Sequence, residues 1–303
     1  MEGVTAVPTV RLSLESRPES VALVRMMLSG ASEELMFGAE LLADLKTAVS
    51  EACNNVVVHA YRDSSPGPMT VTLRDLEDSV VVTVADAGSG LVADAPPSDG
   101  LGVGLAVIHA LVAKADFRSA PGGGTEVEMV FTRDRPEEPG TGRDLVEEPV
   151  TVAAAVSGPP AAGAAAIDGQ LPQAGEILLE VDPAGLLGGI LGRVAGAVAA
   201  ESAFSIDRYS EVSLVTDSIA AHARAYAQGQ HLLSRLHSAE KRLDLEVGPF
   251  HPGSLAKLQA QARGASPALL AMLVDELSAE SQPGGEQLRM VLTDSHQADT
   301  VTT

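Results

Sequence analysis

The chain has little cysteine and little positive charge. A single thiol, Cys53, cannot close an intramolecular disulfide. Against 41 Asp and Glu there are 20 Lys and Arg, a formal charge of -21. That balance excludes the clustered cations needed to neutralise a nucleic-acid backbone and fits a basic protein partner better. No basic n-region followed by an apolar stretch opens the chain, so no signal peptide is expected and the protein reads as cytoplasmic. No membrane span is expected either: nothing approaches the roughly 18 consecutive apolar residues a span needs, because Gly and Pro break the longest Ala-rich run. A G-x-S-x-G nucleophile elbow is absent, which removes the Ser/His/Asp hydrolase reading.

What is present is a chain of 303 residues, 45% hydrophobic, enough for about two domains with cores of their own. Its clearest seam follows "MVFTRD", where "RPEEPGTGRDLVEEP" and "VSGPPAAGAAAIDG" lack the periodic apolar positions of a core. The expected division is a domain over 8–133, a Pro/Gly/Ala-rich linker over 134–175, a second domain over 176–294 and a polar tail over 295–303.

In the first domain "TVRLSLES" alternates as a strand does, and "PESVALVRMMLSGASEEL" has helical spacing from Val21 to Leu28. A longer helix is predicted from about Glu40 to Ala60, with Leu42, Leu45, Val49, Ala52 and Val56 on one stripe. "MTVTLRDL" and "SVVVTVADAG" read as paired strands joined by "EDS". A Gly- and Pro-rich loop then leads to the helix "LAVIHALVAKA", and "GGGTEVEMVFTRD" closes with a strand. The expected fold class is α+β, a two-layer α/β sandwich with one helical layer on a mixed sheet.

The second half repeats this layout at a local offset of about 160 to 166 residues, the pattern of a diverged duplication. "LESRPESV" resembles "LEVDPAGL", "LKTAVSEACNNVVVHAY" parallels "SEVSLVTDSIAAHARAY", "VVVTVADAG" parallels "KRLDLEVGP", and "GGGTEVEMVFTRD" resembles "PGGEQLRMVLTD". Asn55 then falls opposite Ala221, Asp86 near Pro249, and Thr125 opposite Glu286. The copy keeps the scaffold and loses the polar groups.

Those polar groups are the puzzle of "AVSEACNNVVVHAY", where Glu51, Asn54, Asn55 and His59 interrupt an apolar helix at a cost in free energy unless they are partnered. Residues four apart share a helix face, so Glu51, Asn55 and His59 project in a row, either to solvent or into a lined pocket. Three further motifs favour a pocket. "DAGSG" puts Asp86 at a strand end, with Gly88 and Gly90 allowing a tight turn. "GLGVGL", residues Gly100, Leu101, Gly102, Val103, Gly104 and Leu105, opens a helix whose free N–H groups suit anionic oxygens. "GGGT", with Gly124 and Thr125, precedes the last strand. Cys53, on an apolar helix beside Asn54, reads as a small packed residue rather than a nucleophile.

In that order and spacing, over about residues 10 to 133, the motifs resemble the ATP-binding fold of gyrase, histidine kinases and MutL, the GHKL superfamily with its Bergerat-type, histidine-kinase-like ATPase fold. They most resemble the small bacterial anti-sigma-factor serine/threonine kinases. The resemblance implies ATP and Mg2+ as cofactors. It implies that Glu51 orients or deprotonates the attacking hydroxyl, that Asn55 holds magnesium, and that Asp86 receives the adenine amino group with Gly88 and Gly90 beside base and ribose. Gly102 and Gly104 would line the phosphates, and Gly124 and Thr125 would lie near the adenine; Asn54 and His59 belong to the same helix motif. Magnesium prefers oxygen ligands and keeps several waters, so one Asn with nucleotide phosphates can suffice.

One departure is the segment "LVADAPPSDGLGVGL", which holds Asp94 and Asp99 and no basic residue to meet the terminal phosphate; Lys114, Arg118 or another chain would have to supply one. Two functions follow from the resemblance. The first is a kinase that phosphorylates a STAS-domain anti-sigma antagonist and sequesters a sigma factor. The second is a nucleotide-dependent binding module with little phosphoryl transfer. No long helical hairpin with a phosphoacceptor His precedes the domain, against the catalytic part of a histidine kinase. The second half is expected either to fill the partner position of a dimer as an intramolecular pseudo-dimer, leaving a homodimer as the alternative, or to dock a protein through "HARAYAQGQHLLSRLHSAEKR" read as an amphipathic helix.

Overall fold

The computed structural model describes residues 7–61, 65–89, 101–120, 123–133, 172–261 and 268–294. Residues 134–171 of the expected linker, the tail and most of the acidic loop before Leu101 lie outside them.

Alternation builds the strands of the first half. In β1 (Thr9–Glu15) Val10, Leu12 and Leu14 are buried; in β2 (Pro68–Asp75) Met69, Val71 and Leu73; in β3 (Ser79–Asp86) Val80, Val82 and Val84. Pro18 begins helix α1 (Pro18–Glu34), where its missing N–H costs nothing. Helix α2 (Ala39–Asn55) buries Leu41, Leu45, Ala48, Val49, Ala52 and Cys53 and ends in a π-helical turn, Val56–Ala60. Helix α3 (Leu101–Leu111) is shorter than its sequence suggests: "KADFRS" leaves it as an edge strand, β4 (Lys114–Ser119), before β5 (Thr125–Thr132).

The second half gives β6 (Glu176–Asp182), a short turn of 3-10 helix, and α4 (Leu187–Glu201). Helix α5 (Ile206–Tyr226), β7 (Leu232–Ala239) and β8 (Arg242–Phe250) follow. Helices α6 (Ser254–Gln261) and α7 (Ala268–Leu273) then lead to β9 (Glu276–Gln282) and β10 (Gly285–Thr293). The stretch "HARAYAQGQHLLSRLHSAEKR" is therefore not one helix. It ends α5, turns at Gly229 with φ at +96, and becomes β7, where Leu232, Ser234 and Leu236 alternate inward.

All ten strands form a single sheet in the order β4-β5-β3-β2-β1-β6-β7-β8-β10-β9. Each half contributes the same sequence of strands outward from the centre. The sheet is not mixed as expected, because every pairing between neighbours is antiparallel. The halves meet where β1 pairs with β6, from Thr9 opposite Asp182 to Ser13 opposite Leu178.

Helices α1 and α4 cross over that seam. A Cβ on Gly30 would come 2.4 Å from the Gly189 carbonyl oxygen, so glycine is what lets the two backbones touch. The Gly189 amide donates to Glu34 Oε1 at 2.8 Å, and Arg193 pairs with Glu33. One hydrophobic cluster spans both halves, from Leu12 and Met27 to Leu179 and Ile190. By length and mean hydropathy the segment Ala184–Glu201 would pass as a membrane span, but its apolar residues Ile190, Leu191, Val194 and Val198 are core.

Candidate functional site

The site begins with a departure from apolar spacing on α2. Glu51 and Asn55 sit one turn apart, both half-buried, beside the core residues Ala52 and Cys53. Gly104 of α3 lies against them: a Cβ there would stand 2.9 Å from Glu51 Oε2 and 3.8 and 3.9 Å from the Asn55 amide atoms. The glycine thus lets the first turns of a helix come close to a carboxylate and an amide. Asn54, the next position round α2, is exposed. His59 is half-buried on the π turn, whose wider winding carries it away from the line Glu51 and Asn55 share.

Asp86 forms the other end. Its side chain is buried, 8% exposed, at the last position of β3, and its Oδ1 accepts from the Gly88 amide at 2.8 Å. Gly88 packs on the end of the π turn, where a Cβ would come 2.3 Å from the Ala60 carbonyl oxygen. Gly124 closes the opposite side with φ at +92, and a Cβ on it would reach 2.0 Å from the Asp86 carbonyl oxygen. Thr125 starts β5 next to it. Sequence reasoning missed Tyr61, whose hydroxyl accepts from the Ala87 amide at 2.8 Å. Its signal was a lone aromatic directly after the polar helix. Gly90 and Gly100 lie outside the described residues; Leu101, Gly102 and Val103 form the first turn of α3 ahead of Gly104, and Leu105 after it is half-buried.

The arrangement fits a nucleotide and magnesium. Asn55 and Glu51 offer hard oxygen donors beside the close approach at Gly104, and the helix beginning at Leu101 has first-turn N–H groups that no carbonyl of the helix itself can accept. Among the described residues no three His, Cys, Asp or Glu gather to bind a metal, so a cation here would lean on Asn55 and on the phosphates themselves. Arg118 is not available as a cationic partner, since it is spent on Glu126 at 2.6 Å, Glu128 at 3.4 Å and Asp116 at 3.7 Å. Burial pushes the Cys53 thiol up to about 12, which leaves no thiolate and makes it a packing residue.

The corresponding place in the second half is filled from within. Burial repeats position for position: Leu45, Ala48, Val49, Ala52, Cys53 and Val56 match Val212, Val215, Thr216, Ile219, Ala220 and Ala223. His222, not Ala221, therefore stands where Asn55 does, and Ser218 stands at Glu51. The His222 ring lies 4.6 Å from Tyr226 and 5.2 Å from Phe250, which ends β8 as Asp86 ends β3. Glu286, near the place of Thr125, accepts from the Ser254 and Leu255 amides at 2.9 and 3.2 Å. An internal carboxylate thus meets the N-terminus of α6, and aromatic rings occupy the space beside it.

Residues 14–131 match the family model described as "Histidine kinase-like ATPase domain". The chain is 32% identical over 132 residues to "Anti-sigma F factor" of Pasteuria penetrans, covering 40% of this chain and 88% of that protein. It is 38% identical over 95 residues to "Serine-protein kinase RsbW" of Bacillus velezensis, covering 31% of this chain and 59% of the relative. It thus spans somewhat over half the length of the Bacillus kinases it matches. A solved structure of the RsbU and RsbW domains of a Mycobacterium tuberculosis protein matches at 25% identity and a TM-score of 0.34, covering 43% of this chain and 33% of that one. Motif geometry and relatives agree, and the chain belongs to the GHKL histidine kinase-like ATPase family as a relative of the bacterial anti-sigma-factor kinases.

Proposed function

We propose that residues 8–133 bind ATP with magnesium and transfer its terminal phosphoryl group to a serine or threonine of a STAS-type anti-sigma antagonist, and that the protein sequesters a sigma factor. The observation that carries this reading is the close approach of Gly104 to Glu51 and Asn55, with Asp86 held between Gly88 and Gly124 at the other end. Asp86 takes the adenine amino group and the amides at the start of α3 face the phosphates. Asn55 holds the cation, which when bound neutralises phosphate charge. The Glu51 carboxylate orients the substrate hydroxyl and accepts its proton as the hydroxyl oxygen bonds to the terminal phosphorus and the bond from that phosphorus to the bridging oxygen breaks, releasing ADP. Positioning and charge do most of the work in this chemistry.

In this reading residues 176–294 are a second, degenerate copy of the domain that fills the partner position, making the chain an intramolecular pseudo-dimer. The mirrored strand order about β1 and β6 supports it, as does the glycine-mediated crossing of α1 and α4.

A second reading, a nucleotide-dependent binding protein with little transfer, is favoured by one observation. No Lys or Arg lies between Gly90 and Leu105, and Arg118 is committed to carboxylates. Glu51→Ala separates the two. Under the kinase reading phosphate transfer to a STAS-domain substrate falls at least a hundredfold while ATP affinity stays within about threefold. An unchanged residual rate would favour the binding module.

A further inference from the structure

Tyr61 stands where the polar helix meets the adenine end of the site. The chain reaches it through the π turn Val56–Ala60, which interrupts the regular ladder just after Asn55 and leaves the Ala60 carbonyl free to face sideways. That carbonyl accepts from the Ser89 amide at 3.1 Å. The Tyr61 hydroxyl donates to the Pro68 carbonyl oxygen at 2.7 Å and accepts from the Ala87 amide at 2.8 Å. Its ring is fixed from the side by Gly67, where any Cβ would fall 2.2 Å from a ring carbon. One half-buried hydroxyl therefore ties the start of β2 to the turn that follows β3.

That turn carries Asp86. With the Gly88 amide on Oδ1, Oδ2 is the oxygen that can receive a ligand's amino group, and its direction depends on how the Ala87 peptide is held. Gly124 presses on the Asp86 carbonyl from one side and the Ala60–Tyr61 pair holds residues 87–89 from the other. Losing the hydroxyl would leave the Ala87 N–H and the Pro68 carbonyl without these partners and free the peptide plane to rotate.

We infer that Tyr61 is a positioning residue for base recognition: its hydroxyl aims the Asp86 carboxylate and so sets the preference for a purine bearing an exocyclic amino group. The inference rests on the assignment of Asp86 to the adenine. It extends that assignment by predicting that a residue which need not touch the nucleotide controls selectivity, separately from the phosphate and metal end at Glu51 and Asn55.

The test compares full-length wild type, Tyr61→Phe and Asp86→Asn for binding of ATP and of purine riboside triphosphate, which lacks the amino group, with amide exchange read on the same samples. Wild type should prefer ATP. Tyr61→Phe should weaken ATP about tenfold, leave the analogue within twofold and keep the same magnesium dependence, while exchange at Ala87 quickens and that of the β3 interior does not. Equal weakening of both nucleotides, or an unchanged preference, would overturn the role of Tyr61. If wild type bound no ATP, or Asp86→Asn bound both nucleotides as wild type does, the adenine assignment itself would fail and take this inference with it. Exchange in the β3 interior reports whether the Phe variant is folded, so a loss of binding through unfolding is told apart.

Discussion

At the scale of single residues, the glycines of the site differ in what they tolerate. Gly124 has φ at +92 and backbone 2.0 Å from where a Cβ would sit, so Gly124→Ala must move Asp86. It should cost on the order of 1–3 kcal/mol in a denaturant titration and weaken ATP binding more than tenfold. At Gly104 the nearest atom is the mobile end of Glu51, so Gly104→Ala should leave the midpoint nearly unchanged and lower phosphate transfer. His222 gives a pH signature. Burial holds it down to about 4 from an ordinary 6.5; the Glu286 carboxylate opposes that shift and Lys257 adds to it. Below pH 6.5 the unfolded chain takes up the proton first. Stability contributed by neutral His222 is complete above that pH and declines toward pH 4, by at most about 1.4 kcal/mol per pH unit. Neither ring nitrogen has a hydrogen-bond partner among the described residues, so His222→Leu should flatten the acid slope in urea titrations at pH 5 and 7. Glu51 and Asn55 stood out in the sequence because they interrupt an apolar helix, and Asp86 because it ends a strand just before two glycines. His222 was not: it replaces an amide in a helix whose register only burial reveals, and a count along the chain placed Ala221 there.

At the scale of elements, period-two and helical spacing marked β1, α1, α2, β2, β3 and β5 close to their observed limits. Two strands escaped: β7, expected as part of an amphipathic helix, and β4, because an edge strand such as "KADFRS" needs no alternation and buries no side chain fully. The expected mixed sheet became fully antiparallel, since pairing direction depends on connections that residue patterns do not encode. The π turn was likewise invisible, because "VVVHA" continues the helix by composition; its effect is to swing Ala60 and Tyr61 toward the turn after Asp86. The α1–α4 crossing yields a prediction at this scale. Gly30→Val would force apart two backbones in contact, with an expected loss of about 1–3 kcal/mol measured by denaturant unfolding. Gly38→Val, where a Cβ meets nothing, is the control for a glycine replacement on its own.

At the scale of the whole molecule, the shared order of elements in the two halves was readable from matching ends, while the joining of the two halves was not. One sheet runs through both, with β1 covered by β6, so the edge that two separate copies would need for pairing is already occupied within the chain. Light scattering of the full-length protein should therefore give the mass of one chain. The two ends of the molecule are chemically unequal. One brings Gly104 close to Glu51 and Asn55; the other gathers Phe250, Tyr226, His222 and Glu286. Isothermal titration of ATP into the full-length protein, with and without magnesium, tests that inequality directly. The account predicts one ATP per chain, binding abolished by Asp86→Asn, and a magnesium dependence removed by Asn55→Ala. Two sites per chain, no binding at all, or a site that survives Asp86→Asn would contradict it.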